Sequence, residues 1–73
     1  MRLSRFDEMV ADEFGPGQGR ILVRDTVLGE LGHRTAEQAI AAGTDPKDVW
    51  FALCRAQEVP RERWWGEDRA PRR

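Results

Sequence analysis

A single cysteine, Cys54, and a single histidine, His33, stand in 73 residues. The first count excludes an intramolecular disulfide, and the second means that a tetrahedral zinc site would need carboxylates or a second subunit. Tyrosine and asparagine are absent and lysine occurs once, against eleven arginines, which reads as the coding bias of a GC-rich genome more than as chemistry. No stretch approaches the ~18 consecutive apolar residues of a membrane-spanning helix. Met1 is followed by Arg2, Leu3 and Ser4 with no apolar stretch of the kind that marks a secretory signal. The expectation is a cytoplasmic protein without a membrane partner. Neither sign of charge dominates, since 12 Lys+Arg face 13 Asp+Glu for a net charge of -1. Nothing in that balance demands a polyanion.

What the chain does hold is enough apolar residue for one small core. Forty per cent of the residues are hydrophobic, but eight of them are alanines. Domains typically run to about 100–150 residues, so this chain has room for one and excludes a two-lobed enzyme. A domain this short buries only about 60% of its unfolded surface, so its stability rests on good helix packing or on a partner.

Four helices are expected, near 4–14, 18–31, 35–42 and 46–57, with no strand: an all-α bundle. Ser4 is the expected N-cap of the first, with Asp7 in its opening turn. Leu3, Phe6, Met9, Val10 and Phe14 share its apolar arc. The run Gly15, Pro16, Gly17, Gln18 and Gly19 reads as a loop, because glycines and a proline do not sustain a helix. In the second helix Ile21, Val23, Val27, Leu28 and Leu31 lie on one broad side, and Gly32 ends it. Thr35 and Gln38 have capping-box spacing for a third, closed by Gly43. Asp45 caps a fourth, with Pro46 at its first position and Val49, Ala52, Leu53 and Ala56 as its core face. Residues 1–65 form the expected domain, and 66–73 read as a loose C-terminal tail.

The residues Phe14-Gly15, Asp25-Thr26-Val27-Leu28, Leu31-Gly32, Arg34-Thr35-Ala36, Gly43, the block Val49 to Cys54 and Val59-Pro60 resemble an actinobacterial family, the domain of unknown function numbered 3046. The similarity runs over about residues 1–65. It implies a short, cytoplasmic, all-helical protein with no established activity. It also implies genes near those of the recombinase RecA and its regulator RecX, an association with DNA recombination or repair that specifies no mechanism. Three places depart from the family pattern: the glycine-rich run at 15–19, His33 where a second glycine is usual, and Phe51 where a basic residue is usual.

Several constellations could hold chemistry. Ala39, Gly43 and Val49 have the spacing of a helix-turn-helix over 35–57, in which Asp45 and Pro46 would open the recognition helix. Any two short helices joined by a glycine turn show that spacing, and the outward face mixes Lys47 and Arg55 with Asp48 and Phe51. The glycine-rich run before Arg20 could cradle phosphate, but it follows no strand and lacks the terminal Lys-Ser/Thr. His33 and Cys54 would make a nucleophile pair only if the fold joined them. Glu13 and Arg24 each fall inside an apolar arc, where a charge must be paired or snorkel, and the expectation is a cross-helix ion pair, with ligand binding by the same pair as the lesser alternative. Trp50 borders the core face at about 100° from its centre, whereas Trp64 and Trp65 either pack the C-terminal segment onto the bundle or anchor a partner.

The functional expectation is a non-enzymatic protein-interaction or regulatory module with no metal and no cofactor. Its partner-binding candidates are Lys47, Trp50, Phe51, Arg55, Trp64 and Trp65. Phe51, on the outward side of the fourth helix, must be covered either by the C-terminal segment or by a partner. The alternative is nucleic-acid binding through Lys47, Arg55 and the arginines at 61, 63, 69, 72 and 73. From Thr44 onward seven cations meet six anions, a net of only +1, which ranks that alternative second.

Overall fold

The computed structural model describes residues 1–64. Four α-helices, α1 (Leu3–Phe14), α2 (Pro16–Asp25), α3 (Ala36–Ala41) and α4 (Pro46–Ala56), surround the core, with a two-stranded ribbon between the second and third. The packing closes on itself: α1 lies on α2, α2 on α3, α3 on α4, and α4 returns to α1. Phe6, Met9 and Val10 from α1, Leu22 from α2, Ala36 and Ala39 from α3, and Val49, Trp50, Ala52, Leu53 and Cys54 from α4 are all buried.

Two corrections concern the first half of the chain. Helix α1 begins at Leu3, with Arg2 in the N-cap position and no side-chain cap, so Ser4 lies inside the first turn instead of capping it. The start is set by tertiary contact. The Met1 side chain packs against the core, and its ammonium lies 3.8 Å from Asp45 Oδ1. The glycine-rich run is likewise no loop. Gly15, at φ +89°, makes the whole break between α1 and α2, and Pro16 opens α2 at its first position, where a missing N–H leaves nothing unsatisfied.

The second helix is shorter than its periodicity suggests, and the chain does contain strands. Helix α2 ends at Asp25. Val27–Leu28 (β1) and Arg34–Thr35 (β2) then pair antiparallel, Val27 opposite Thr35 and Leu28 opposite Arg34. Thr26 and Val27 are β-branched and favour extended backbone. The apolar positions 27, 28 and 31 fit a helix wheel equally well, because so short a run cannot separate the two periods. A 3₁₀ turn at Gly29–Leu31 and two left-handed residues, Gly32 (φ +78°) and His33 (φ +61°), reverse the ribbon. The His33 N–H donates to the Leu28 carbonyl at 3.2 Å. Histidine tolerates this conformation better than most side chains, glycine better still.

The second half follows its caps. Thr35 and Gln38 exchange both bonds of the capping box, at 2.9 and 3.1 Å. Gly43 at φ +99° ends α3 while Thr44 N–H and Gly43 N–H return to the carbonyls of Ala39 and Ile40. The Asp45 carboxylate accepts from Lys47 N–H at 2.9 Å and opens α4. That bond holds the Asp45 carboxyl below its ordinary value.

Among the described glycines, Gly19 has the closest neighbour. A Cβ there would stand 2.6 Å from Val10 Cγ1 and 3.1 Å from the Val10 carbonyl oxygen. Val10 is buried and, as a β-branched residue in a helix, has little freedom to turn away, and the backbone oxygen has none. Gly19→Ala should therefore destabilise the protein by about 1–3 kcal/mol through overpacking, although alanine is otherwise favoured over glycine within a helix by about 1 kcal/mol. Urea unfolding followed by circular dichroism checks this, and a stabilised Gly19→Ala protein would show that α1 and α2 are not in contact there.

Candidate functional site

Helix α4 is the hub of the molecule, and the chain that follows it folds back over it. The helix ends in a Schellman arrangement, with Glu58 N–H donating to the Arg55 carbonyl at 3.2 Å and Val59 N–H to the Cys54 carbonyl at 2.9 Å. Glu58 occupies the left-handed position, φ +57°, that glycine usually takes. This sharp reversal sends residues 59–64 back as a strap, through a 3₁₀ turn at Arg61–Arg63, to the buried Trp64.

Trp64 holds the strap in four ways. Its indole N–H donates to the Val59 carbonyl at 2.8 Å, and its carbonyl accepts the Trp50 indole N–H at 2.6 Å. Its ring lies against Phe51 with centroids 5.2 Å apart. The guanidinium carbons of Arg61 and Arg55 stand 5.0 and 5.8 Å from its ring centroid, within cation–π range. Next to it, Arg63 Nη2 hydrogen-bonds Glu13 Oε2 on α1. The Glu13 side chain is only 13% exposed. A carboxylate so nearly covered needs a partner, and the strap supplies one.

This geometry distributes the residues singled out from sequence as follows. Trp50 sits at the centre of the core, 1% exposed, edge-on to Phe6 and Phe14 at 6.5 and 6.3 Å. It is closed to a partner. The wheel places it at the border because it assumes one buried face, whereas α4 is covered on several sides. Phe51 is half-buried beneath Trp64, so of the two covers foreseen for it the C-terminal segment is the one present. Arg55 reaches across to Glu30, Nη2 to Oε2 at 2.7 Å, and this hydrogen bond raises its guanidinium above an already high pKa. Lys47 is exposed in the first turn of α4. Trp65 and the proposed tail 66–73 lie outside the described residues, as do Arg69, Arg72 and Arg73.

Glu13 and Arg24 do not pair with each other. Glu13 binds Arg63, and Arg24 binds its neighbour Asp25, Nε to Oδ1 at 3.1 Å. Helix α2 stops at Asp25, so Leu28 and Leu31, which would flank Arg24 on a longer helix, belong to β1 and the 3₁₀ turn instead. Glu30 is the participant that sequence reasoning missed, and Arg63, singled out only as a nucleic-acid contact, is the partner of Glu13. The core-facing position of Glu13 announces that some cation must meet it, but the partner is 50 residues away in a segment too short to show periodicity.

Cys54 is fully buried. Burial pushes its thiol up to about 12, the Glu13 carboxylate adds to the rise, and Arg55 opposes it. A thiol in that state is not a nucleophile. His33 is exposed in the ribbon turn. Among the described residues no group of three histidine, cysteine or acidic side chains could hold a metal ion, and no helix is long and apolar enough to cross a membrane.

Comparison with curated proteins and with solved structures gave no match. A family model does match, over residues 1–62, which span α1 through most of the strap. This chain belongs to the family described as protein of unknown function, DUF3046.

Proposed function

We propose that this chain is a non-enzymatic, cytoplasmic protein-interaction module. The observation that carries the reading is the exposure of three large aliphatic side chains on the consecutive elements α1, α2 and β1. Leu3 is 47% exposed, Ile21 46% and Val27 57%. Burying a side chain of this size contributes about 1.5–3 kcal/mol, which a partner would gain and a chain with so small a core leaves unused. The non-enzymatic part is supported by the protonated, buried Cys54, whereas His33 is exposed.

The second reading, a helix-turn-helix-like nucleic-acid binder, is favoured by one feature, the left-handed Gly43 that joins α3 to α4 just before Pro46. Against it stands the use of the cations. Arg55 is held by Glu30, Arg63 by Glu13, and Arg61 lies on the Trp64 ring.

The two readings separate in a paired experiment: capture of partners from a native lysate, and DNA titration at low and moderate salt. Each is done with the wild-type chain, Val27→Glu and Lys47→Ala. The module reading expects specific capture that Val27→Glu abolishes while helicity is unchanged. Salt-sensitive DNA binding that survives Val27→Glu and is lost in Lys47→Ala would overturn it.

A further inference from the structure

The place where Trp64 sits has the chemistry of a ligand site filled by the chain's own segment. Three different groups converge on it. The Trp50 indole N–H is buried and donates to a strap carbonyl. The Glu13 carboxylate is nearly covered and binds the strap's Arg63. The Phe51 ring receives an aromatic face. The backbone of 59–64 pairs with no strand, and its turn bonds, Arg63 N–H to the Pro60 carbonyl and Trp64 N–H to the Arg61 carbonyl, stay within the strap. It is seated on the bundle by the Val59 bond to the end of α4, by Val59 packing on the core, by Arg55 against the Trp64 ring, and by these three groups.

We propose that Glu13, Trp50 and Phe51 form a recognition site for a peptide segment with an arginine immediately before an aromatic residue, and that residues 59–64 occupy it as an intramolecular ligand. The occupant is fixed by what an empty seat would leave behind. Removal of the strap strands a buried indole donor without an acceptor and a nearly buried carboxylate without a cation, both strongly unfavourable. A purely apolar partner satisfies neither. A segment that supplies a carbonyl, a guanidinium and a ring in the same order satisfies all three, and it must compete with a strap held at high effective concentration by its short tether. The site uses none of Leu3, Ile21 and Val27, so it stands or falls independently of the module reading above.

The test uses the full chain carrying Trp64→Ala and, as probe, an amidated peptide with the sequence of residues 58–64, Glu-Val-Pro-Arg-Glu-Arg-Trp. The site requires the peptide to bind saturably and to raise the melting temperature of the variant. If the variant is unfolded, the peptide restores its helicity, because a ligand of the folded state draws the equilibrium toward it. The wild-type chain, whose seat is filled, should gain at least tenfold less affinity from the same peptide. A peptide with alanine in place of the arginine next to the tryptophan should bind at least tenfold more weakly, and so should the original peptide to a chain that also carries Glu13→Gln. The proposal is overturned if millimolar peptide neither binds nor refolds the variant, or if the alanine peptide performs equally well.

Discussion

Replacing Trp64 by alanine is expected to remove most of the stability of this protein, about 3–5 kcal/mol on the scale of buried aromatic truncations. The ring is buried although it lies 14 residues beyond Trp50 in a segment without regular helix. It covers Phe51, sits against Arg55 and Arg61, and donates to the Val59 carbonyl. Its loss also frees the strap, so that the Trp50 indole loses its acceptor and Glu13 loses Arg63. A single core in a chain this short seldom supplies more than about 3–5 kcal/mol, so the variant should be largely unfolded at room temperature. Trp64→Phe keeps a ring on Phe51 and should lie in between. Thermal and urea unfolding measure both, and a loss below about 1 kcal/mol for the alanine variant would mean that the strap lies on the bundle without holding it together.

Alkaline pH is expected to destabilise the protein through one group. In the folded state the Cys54 thiol keeps its proton up to about 12, against an ordinary value of 9.0, because burial disfavours the thiolate. The unfolded chain gives up that proton above about pH 9, so between the two values the folded state holds more protons than the unfolded one. Stability then falls as pH rises, by about 1.4 kcal/mol per pH unit. The contribution is intact below the unfolded value and is lost through the window up to the folded one, approaching ~4 kcal/mol in all. The absence of tyrosine and the single lysine leave few other side chains titrating in this window. Urea midpoints at pH 8 and pH 10.5 should diverge strongly for the wild-type protein and much less for Cys54→Ala. Equal slopes in the two proteins would show that the thiol is accessible to water.

The parts of the fold legible in sequence are those governed by local chemistry. The Thr35–Gln38 capping box, the Gly43 terminus and the Asp45–Pro46 start each appear where residue type alone puts them. Of the arc Leu3, Phe6, Met9, Val10 and Phe14, the middle three are buried, Phe14 is half-buried and Leu3 is exposed. Illegible were the features set by tertiary contact or by ambiguous short runs. The ribbon at 27–35 is two residues per strand, too brief to show alternation, and its apolar residues also fit a helix. The opening of α1 depends on Met1 reaching the core and Asp45, and no local signal marks that.

The site divides in the same way. That Glu13 needed a cation and Phe51 a cover followed from their positions on helices. That Arg63 and Trp64, neighbours in sequence, answer both needs together follows only from the left-handed turn at Glu58, which sends the chain back toward α1 and α4. A wheel drawn for one buried face also misplaces Trp50. Val49, Trp50, Ala52, Leu53 and Cys54 are all buried because α1, α3 and the strap enclose the helix from different sides.

The claim on which the account depends is that the strap completes the core, and nuclear magnetic resonance of the wild-type chain tests it most directly. Cross-relaxation between the ring protons of Trp64 and Phe51 should be strong, at the separation of 5.2 Å between their centroids. The Trp50 indole N–H, closed off by the Trp64 carbonyl, should exchange with solvent orders of magnitude more slowly than a free indole. Absent cross-peaks between the two rings, together with a Trp50 indole proton exchanging at the rate of an exposed tryptophan, would contradict the account.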